Sequence, residues 1–230
     1  ITDIFRNQSY GIQTKRDALT ISYSENEVIN KANDLLKLND DSMKVKYDIA
    51  EDGRDWAISW ARTDLKRLKS MHDHLQNVLY RPFDVRKTIY TNKSKGFLAY
   101  PRWETMKCML KNNLALVAMR QVFQDVDSYT HFVATNMLID ERTFYSNRGG
   151  TYLFPLYNYN DNNAGLFAET TKCIQHNYNV EFIQKFSNLL GLSYNSSCNL
   201  PDGVNADDIF NYSYSIFYSN EFRYRYEEFL

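Results

Sequence analysis

Apolar residues recur at helical spacing behind a clear start signal near the beginning of the chain. Ser24 is followed three residues later by Glu27, the spacing of a capping box, in which each side chain bonds the other residue's backbone N–H. Apolar side chains then recur at i, i+4, i+7 and i+8, at Val28, Ala32, Leu35 and Leu36. This pattern predicts an amphipathic helix.

Five further helices are predicted from spacing and from residues that favour helix ends. Pro101 suits a first helical turn, Gly191 suits a helix end, and Asp207 with Asp208 place acids at the positive end of a helix. The predicted helices cover residues 61–69, 101–110, 182–190, 207–217 and 219–230. The helix at 61–69 carries a basic face.

Short apolar or β-branched runs predict the strands, and most of them lie in the first two thirds of the chain. They cover residues 19–23, 88–90, 114–119, 131–135 and 152–159. The Gly-rich stretch 146–150 is expected to be an exposed loop. We therefore predict an α+β fold with three parts: an initial segment at 1–23, a mixed α/β domain at 24–160 and a helical C-terminal subdomain at 161–230.

Composition places the chain among ordered globular proteins. It has 230 residues, 43% of them hydrophobic and 15% aromatic, with only 8 Gly and 4 Pro. The three cysteines, Cys108, Cys173 and Cys198, are odd in number and widely spaced, which argues against a disulfide framework or a zinc site. No apolar run approaches the roughly 20 residues that span a bilayer. A cytoplasmic location is the expectation.

Charge is unevenly distributed along a chain whose net charge is only −1. Residues 80–120 hold nine Lys and Arg against two acids, a local surplus of +7. Residues 196–230 hold six acids against two arginines, a local balance of −4. A polyanionic partner would therefore meet the middle of the chain rather than its end.

Several catalytic signatures are missing. The sequence has no phosphate-binding G-x-x-x-x-G-K-[ST] or G-x-G-x-x-G loop, no G-x-S-x-G, no H-E-x-x-H and no Asn/Asp-Pro-Pro-aromatic tetrapeptide. His72 and His74 would point about 200° apart on a helix, so they cannot share a metal there. We expect no catalytic residue, cofactor site or metal site in this chain alone.

Basic and aromatic residues alternate through the middle segment. Lys and Arg neutralise phosphates, and Arg can bond guanine with two parallel hydrogen bonds. A second interpretation is that Asp84 pairs with Arg81 or Arg86 and that the lysines only keep the surface soluble. The charge pattern alone leaves both interpretations open.

Ordered motifs resemble a known family. They are Tyr80-Arg-Pro-Phe-Asp-Val-Arg86, Pro101-Arg102 with Glu104-Thr-Met106, Met119-Arg120-Gln121 and Tyr152-Leu-Phe-Pro-Leu-Tyr157. Together with residues 1–17 and 209–230 they resemble the C-terminal specificity region of type ISP restriction-modification enzymes and related adenine-specific DNA methyltransferase-helicase proteins. Three positions depart from the family pattern: Lys15 replaces a small residue, Asn220 stands where a proline is common, and Asn158 interrupts an apolar run.

The resemblance implies a role and a set of partners. In such proteins one polypeptide combines a nuclease, a helicase-like ATPase, an adenine-N6 methyltransferase and target recognition. Residues 1–23 would then join a preceding methyltransferase domain, and residues 24–160 would recognise double-stranded DNA. S-adenosylmethionine, ATP and Mg²⁺ would bind to other parts of the same polypeptide.

Twelve residues are the candidate DNA contacts. Expected phosphate contacts are Thr14, Lys15, Arg16, Lys93, Lys95 and Arg102. Expected base readers are Arg120, Gln121, Asn147 and Arg148, although Arg120 and Gln121 could instead close a buried polar network. Arg81 and Arg86 could either grip phosphate or form a structural clamp.

Two other functions remain open at this stage. The basic residues between positions 80 and 120 could dock on acidic neighbouring domains of the same polypeptide. The chain would then be a protein-interaction or scaffold domain without DNA affinity of its own. Alternatively, the chain could complete a methyltransferase site. Because only DNA binding releases counterions, a steep dependence of affinity on salt would separate it from docking.

Overall fold

The fold was obtained as a computed structural model, which describes residues 1–119, 130–145, 149–159 and 174–226. Within these ranges, no helix combines the length and the apolarity needed to cross a membrane.

Helices dominate the early and late parts of the described chain. They are α1 (Asp17–Thr20), α2 (Glu25–Lys37), α3 (Asp40–Tyr47), α4 (Ile58–Lys66), α5 (Trp103–Met106), α6 (Val180–Leu190), α7 (Ala206–Tyr218) and α8 (Asn220–Arg225). Two single 3-10 turns cover His72–His74 and Lys107–Leu110.

Strands fill the middle of the chain and form four sheets among the described residues. They are β1 (Ser9–Tyr10), β2 (Leu75–Arg81), β3 (Asp84–Ile89), β4 (Ala115–Met119), β5 (Phe132–Thr135), β6 (Leu138–Ile139), β7 (Thr151–Pro155), β8 (Tyr157–Tyr159), β9 (Ile174–His176), β10 (Tyr194–Asn195) and β11 (Leu200–Pro201). The sheets have the orders β1-β7-β4-β5, β3-β2-β6, β8-β9 and β10-β11.

Strand β4 is central because both of its faces are buried. Every residue of β4 is buried, and antiparallel partners lie on both sides, β5 and β7. Because successive side chains point to opposite faces, Val117 and Met119 enter one core while Leu116 and Ala118 enter the other. The continuous apolar run that predicted a strand here reflects this burial on two sides.

The two cores divide the chain unequally. The larger core gathers α2, α4 and the β2–β3 hairpin around buried residues such as Trp56, Phe97 and Leu98. The smaller core collects α6 and α7 around Phe154 and Tyr178. Phe5 joins this second core, with ring centroids 5.5 Å from Phe154 and 5.3 Å from Tyr178.

The structure confirms the predicted α+β class and most of the predicted elements. Helix α2 begins at Ser24, whose side chain accepts from the Glu27 N–H, and α6 ends at Gly191 with φ of 66°. The strand predicted at 19–23 is wrong: Asp17–Thr20 is a helical turn, and Ser22 forms only an isolated bridge with Lys87.

Other elements differ from the sequence prediction in extent. The helix predicted at 101–110 is one α-turn followed by a 3-10 turn. Helix α3, which the sequence analysis missed, begins at Asn39, whose side chain accepts from the Ser42 N–H. The last third also contains β9, β10 and β11, each of which takes part in a two-stranded sheet.

Candidate nucleic-acid interface

Ion pairs hold at least four of the described cations in the basic segment, residues 80–120. Arg86 pairs with Asp84 and Lys107 with Glu104 inside the segment. Arg81 and Lys87 pair with acids from other parts of the chain, Asp140 and Glu25. The local surplus of +7 therefore overstates the charge that this surface presents to a partner.

Arg81 and Arg86 are held by several contacts each. Arg86 makes a two-pronged bond with Asp84, at 2.5 Å from Nε and 2.7 Å from Nη2, and its guanidinium lies 3.5 Å from the Tyr23 ring. Arg81 donates to Asp140 at 3.0 Å and lies over the Tyr80 ring at 3.8 Å. Each guanidinium is thus held by a carboxylate and a tyrosine ring of the same chain, which is the arrangement that the clamp interpretation expects.

Among residues 14–16, two have partners within the chain and one, Lys15, is exposed without an ion pair in the described part of the chain. Thr14 is buried and donates to Asp17, while Arg16 donates to the carbonyl oxygens of Ala50 and Glu51 and lies over the Trp56 ring. Lys15 is exposed and forms no ion pair within the described residues. Its φ of 60° lies in the left-handed region that favours glycine, which fits the small residue of the family pattern.

A buried carboxylate fixes the loop that carries Lys93 and Lys95, here called the basic loop (residues 91–97). Asp64 of α4 accepts from the Thr91 hydroxyl at 2.7 Å and from the Phe97 N–H at 2.9 Å. Arg67 donates to the other oxygen of Asp64 at 2.6 Å. Because the side chain of Asp64 has no exposure, these bonds form away from competing water.

The lysines of the basic loop point away from this anchor. Both Lys93 and Lys95 are exposed, and neither forms an ion pair within the described part of the chain. The Lys95 ammonium lies 5.2 Å from the centre of the Trp60 ring. Beside the loop a groove of about 540 Å³ is lined in part by Arg67, Lys69 and Asn92. The fold therefore presents two cations without acidic partners among the described residues, on a backbone that Asp64 holds in place.

Arg102 and Glu141 form a second group, and neither side chain has a hydrogen-bond partner among the described residues. The guanidinium of Arg102 lies 5.2 Å from the Tyr100 ring and 5.9 Å from the Tyr10 ring. Its Nε is buried and unbonded, as is Oε2 of Glu141. Burial raises the pKa of Glu141, while the charges of Arg102, Lys15 and Arg142 act to lower it.

Glu141 lines a cleft of about 330 Å³ in the described chain, here called the Glu141 cleft. Its walls are Ile12, Gln13, Thr14, Lys15, Asp17, Arg81, Asp140, Glu141, Arg142 and Tyr145. Burial raises the pKa of Asp140 to about 6, although Arg81 and the Arg142 N–H both favour its ionised form. Desolvation outweighs the ion pair at Asp140 because its side chain is only 8% exposed.

Four of the sequence-predicted contacts, Arg120, Gln121, Asn147 and Arg148, lie outside the described residues. Two of them, Asn147 and Arg148, follow in sequence within three residues of Tyr145, which lines the Glu141 cleft.

Sequence reasoning missed Asp64, Glu141 and Arg142. Asp64 had a recognisable signal, since it lies among Ile58, Ala61 and Leu65 on the buried face of α4, where an unpaired carboxylate would be costly. Glu141 and Arg142 had no such signal, because the cleft that they line is formed with residues more than 35 positions away in sequence, such as Lys15 and Arg81.

These features define a domain whose surface carries exposed cations, Lys93 and Lys95, on a loop that Asp64 holds in place. In the part of the chain that the structure describes, no three His, Cys, Asp or Glu residues are placed to hold a metal ion. A family model described as the Type ISP C-terminal specificity domain matches residues 3–230. The chain belongs to this family, which confirms the resemblance found in the sequence and the prediction of a specificity domain.

Solved structures share the fold. The DrdV–DNA complex has a TM-score of 0.65 and 20% identity over 97% of this chain. The ATP-dependent Type ISP restriction-modification enzyme LlaBIII bound to DNA has a TM-score of 0.61 and 18% identity over 98% of this chain. A nuclease-deletion mutant of the Type ISP restriction-modification enzyme LlaGI, in complex with a DNA substrate mimic, has a TM-score of 0.56 and 19% identity over 96% of this chain.

This chain spans only 20%, 14% and 19% of those three chains, in the same order. No curated protein matches it.

Proposed function

We propose that this chain recognises a specific sequence in duplex DNA on behalf of a larger restriction-modification polypeptide. The observation that carries the proposal is the basic loop, where buried Asp64 fixes a backbone that presents Lys93 and Lys95 without acidic partners. Because the backbone of the loop is already held, only the lysine side chains lose conformational freedom when they bind phosphate. The DNA named in the descriptions of the three similar structures supports the same function.

The other parts of the polypeptide complete the proposal. A methyltransferase domain and a helicase-like domain would be the intramolecular partners, and the whole would act in the cytoplasm as an adenine-specific DNA methyltransferase and nuclease. S-adenosylmethionine, ATP and Mg²⁺ would bind to those domains. The family match supports a place for this chain within a restriction-modification polypeptide.

The dependence of DNA affinity on salt tests the proposal. Removing both charges with Lys93→Gln and Lys95→Gln should weaken binding to every duplex and lower the slope of log K against log salt by about 2. Fluorescence anisotropy with the intact protein measures both quantities. Lys185→Gln is the matched control, because Lys185 is an exposed lysine of α6 in the acidic, helical part of the chain. An unchanged slope in the double variant would exclude the basic loop as a phosphate contact.

A second function is favoured by one observation, the exposure of Phe83. This residue lies in the turn between β2 and β3, is 101% exposed and has φ of 64°. An aromatic residue in the left-handed region carries strain, and an adjacent groove lined by Leu79, Val133 and Met137 is mainly apolar. Both features suit docking on another domain of the same polypeptide.

Phe83→Asn separates docking from DNA contact. Asparagine tolerates the left-handed region, so the variant should fold normally. If Phe83 docks on another domain, limited proteolysis of the intact variant should proceed faster while the salt slope stays unchanged. Proteolysis at the wild-type rate would count against docking at this turn.

A further inference from the structure

The side chains of Arg102 and Glu141 lack the partners that buried polar groups normally have. Nε of Arg102 is a buried donor and Oε2 of Glu141 is a buried acceptor, and no described residue bonds either atom. Most buried polar atoms in folded proteins are hydrogen-bonded, so such an exception calls for a physical explanation. A ligand cannot reach these two enclosed atoms, but the Nη atoms of Arg102 and Oε1 of Glu141 are accessible and also have no hydrogen-bond partner among the described residues. These accessible atoms can bond a ligand that offers an acceptor beside a donor.

The two side chains are close in space. The Arg102 charge acts on the Glu141 carboxyl, where it opposes the rise in pKa that burial causes. Both approach the Tyr10 ring. Arg102 lies over that ring, and a Cβ added at Gly150 would come within 2.8 Å of Glu141 Cγ and 2.9 Å of Tyr10 Cδ1. Gly150 thus leaves room for Glu141 to pack beside Tyr10.

The backbone around both residues is fixed. The Glu141 N–H donates to the Ile12 carbonyl at 2.9 Å, and the Thr151 N–H donates to the Glu141 carbonyl at 2.7 Å. On the other side, the Tyr90 hydroxyl donates to the carbonyl of Pro101, next to Arg102, at 2.8 Å. A recognition site needs its groups held in this way, because a loosely held side chain adapts to wrong ligands as readily as to right ones.

The cleft beside Glu141 also suits a polyanion. Lys15 and Arg142 line it, both are exposed, and neither forms an ion pair within the described ranges. Such cations can contact the phosphates on either side of a base pair, and these contacts set the position of the protein on the duplex.

We propose that Arg102 and Glu141 form a subsite that reads one G·C base pair, with Arg102 donating to guanine and Glu141 accepting from the exocyclic amine of cytosine. In the major groove, guanine offers two adjacent acceptors, O6 and N7, which match the two parallel donors of a guanidinium. The paired cytosine offers its N4 amine, which a carboxylate can accept. An A·T pair has an amine as well, but its acceptors are split between the two bases. The inference rests on the DNA-recognition function proposed above.

Binding to a set of duplexes tests the subsite. The intact protein first selects its preferred duplex from a random library, and each base pair of that duplex is then changed in turn. Glu141→Met, which removes both acceptor oxygens, should lose about 5- to 100-fold of discrimination at a single G·C position and keep the wild-type salt slope. Arg102→Lys, which keeps the charge but removes the paired donors, should lose discrimination at the same position.

A cytosine analogue without the exocyclic amine makes the test sharper. Wild-type protein should bind a duplex carrying the analogue at that position more weakly than the normal duplex. Glu141→Met should bind the two duplexes with a much smaller difference, because methionine has no oxygen that could accept from the amine. Glu104→Met is the matched control, since Glu104 is 88% exposed and should behave as wild type throughout.

Each outcome is informative. Loss of discrimination at the same G·C position in both variants supports the subsite. Loss of discrimination at an A·T position, equally weaker binding to every duplex, or unchanged discrimination overturns it. If wild-type protein neither prefers a sequence nor shows a salt slope, the proposed function fails and the subsite with it. If wild-type protein prefers a sequence and Glu141→Met prefers it equally, only the subsite fails.

Discussion

The basic loop and the Glu141 cleft both contain a carboxylate removed from water, but they satisfy it differently. Asp64 beneath the loop accepts hydrogen bonds from Thr91, Phe97 and Arg67. Glu141 accepts none from the described residues, although three cations surround it. The hydrogen bonds that hold the loop are therefore all made within the fold. The carboxylate of Glu141 in the cleft, by contrast, can still accept hydrogen bonds from a ligand. Substitutions should affect stability in the first region and recognition in the second.

Asp64→Ala should have the largest effect on stability. It leaves the Thr91 hydroxyl and the Phe97 N–H without their acceptor and removes the partner of Arg67, so we expect a loss of about 3–5 kcal/mol in the free energy of unfolding. Urea denaturation measures the loss. Asp202→Ala is the control, because Asp202 is exposed and only its backbone is bonded. A loss below about 1 kcal/mol would mean that the loop is not held by Asp64.

Asp140, in the wall of the Glu141 cleft, should give stability an unusual dependence on pH. Its folded pKa of about 6 lies above the ordinary 3.8, so the folded chain binds more protons between these values. Its contribution is greatest below about pH 4 and is lost as the pH rises to about 6. Relative to Asp140→Asn, wild-type protein should lose about 2–3 kcal/mol across this window.

Denaturation at several pH values measures this difference. Asp84→Asn provides a contrast with the opposite sign, because the hydrogen bonds from Arg86 lower the pKa of Asp84. The contribution of Asp84 should therefore be lost as the pH falls. Equal slopes for wild type and Asp140→Asn would show that Asp140 ionises normally in the folded chain.

Gly96→Ala tests the close approach of the basic loop to Asp64. A Cβ at Gly96 would overlap the Asp64 carboxylate, whereas a Cβ at Gly53 would meet nothing within 4 Å. We expect Gly96→Ala to cost about 1–3 kcal/mol through overpacking and Gly53→Ala to cost almost nothing. Thermal unfolding of the two variants side by side shows the difference, and equal midpoints would contradict the described loop geometry.

Glu141→Gln should have the smallest effect on stability. The carboxylate gives up no hydrogen bond to a described residue, and replacing it removes a partly buried charge together with its attraction to nearby cations. These changes oppose each other, so the free energy of unfolding should change by less than about 0.5 kcal/mol. Chemical denaturation measures it. A loss as large as that for Asp64→Ala would remove the contrast between the two regions.

Local signals in the sequence were sufficient for much of the fold. Helix α2 follows from Ser24, Glu27 and the apolar spacing behind them, and β4 follows from an uninterrupted apolar run. The failure at residues 19–23 has a local cause. Its β-prone side chains are buried except for that of Tyr23, but Asp17 opens a helical turn there, and Ser22 then forms only an isolated bridge with Lys87.

The candidate site could be predicted only where its partners are near in sequence. The pairing of Asp84 with Arg86 was one of two readings of a short motif, because the residues are two apart. The partners of Asp64 at Thr91 and Phe97 are 27 and 33 residues away, and the partner of Arg81 is 59 residues away. Only the fold decides such pairs. It also decides which cations remain unpaired, which the count of +7 could not show.

The way the first ten residues are built into the fold limits how specificity could be transplanted between relatives. Phe5 fills the smaller core beside Tyr178, the Arg6 N–H donates to the Asn177 carbonyl at 2.8 Å, and Ser9–Tyr10 forms an edge of the central sheet. A chimaera that joined this domain after residue 10 would lack the Phe5 ring against which Phe154 and Tyr178 pack. Grafts of this domain should therefore carry its first residues together with its last helices.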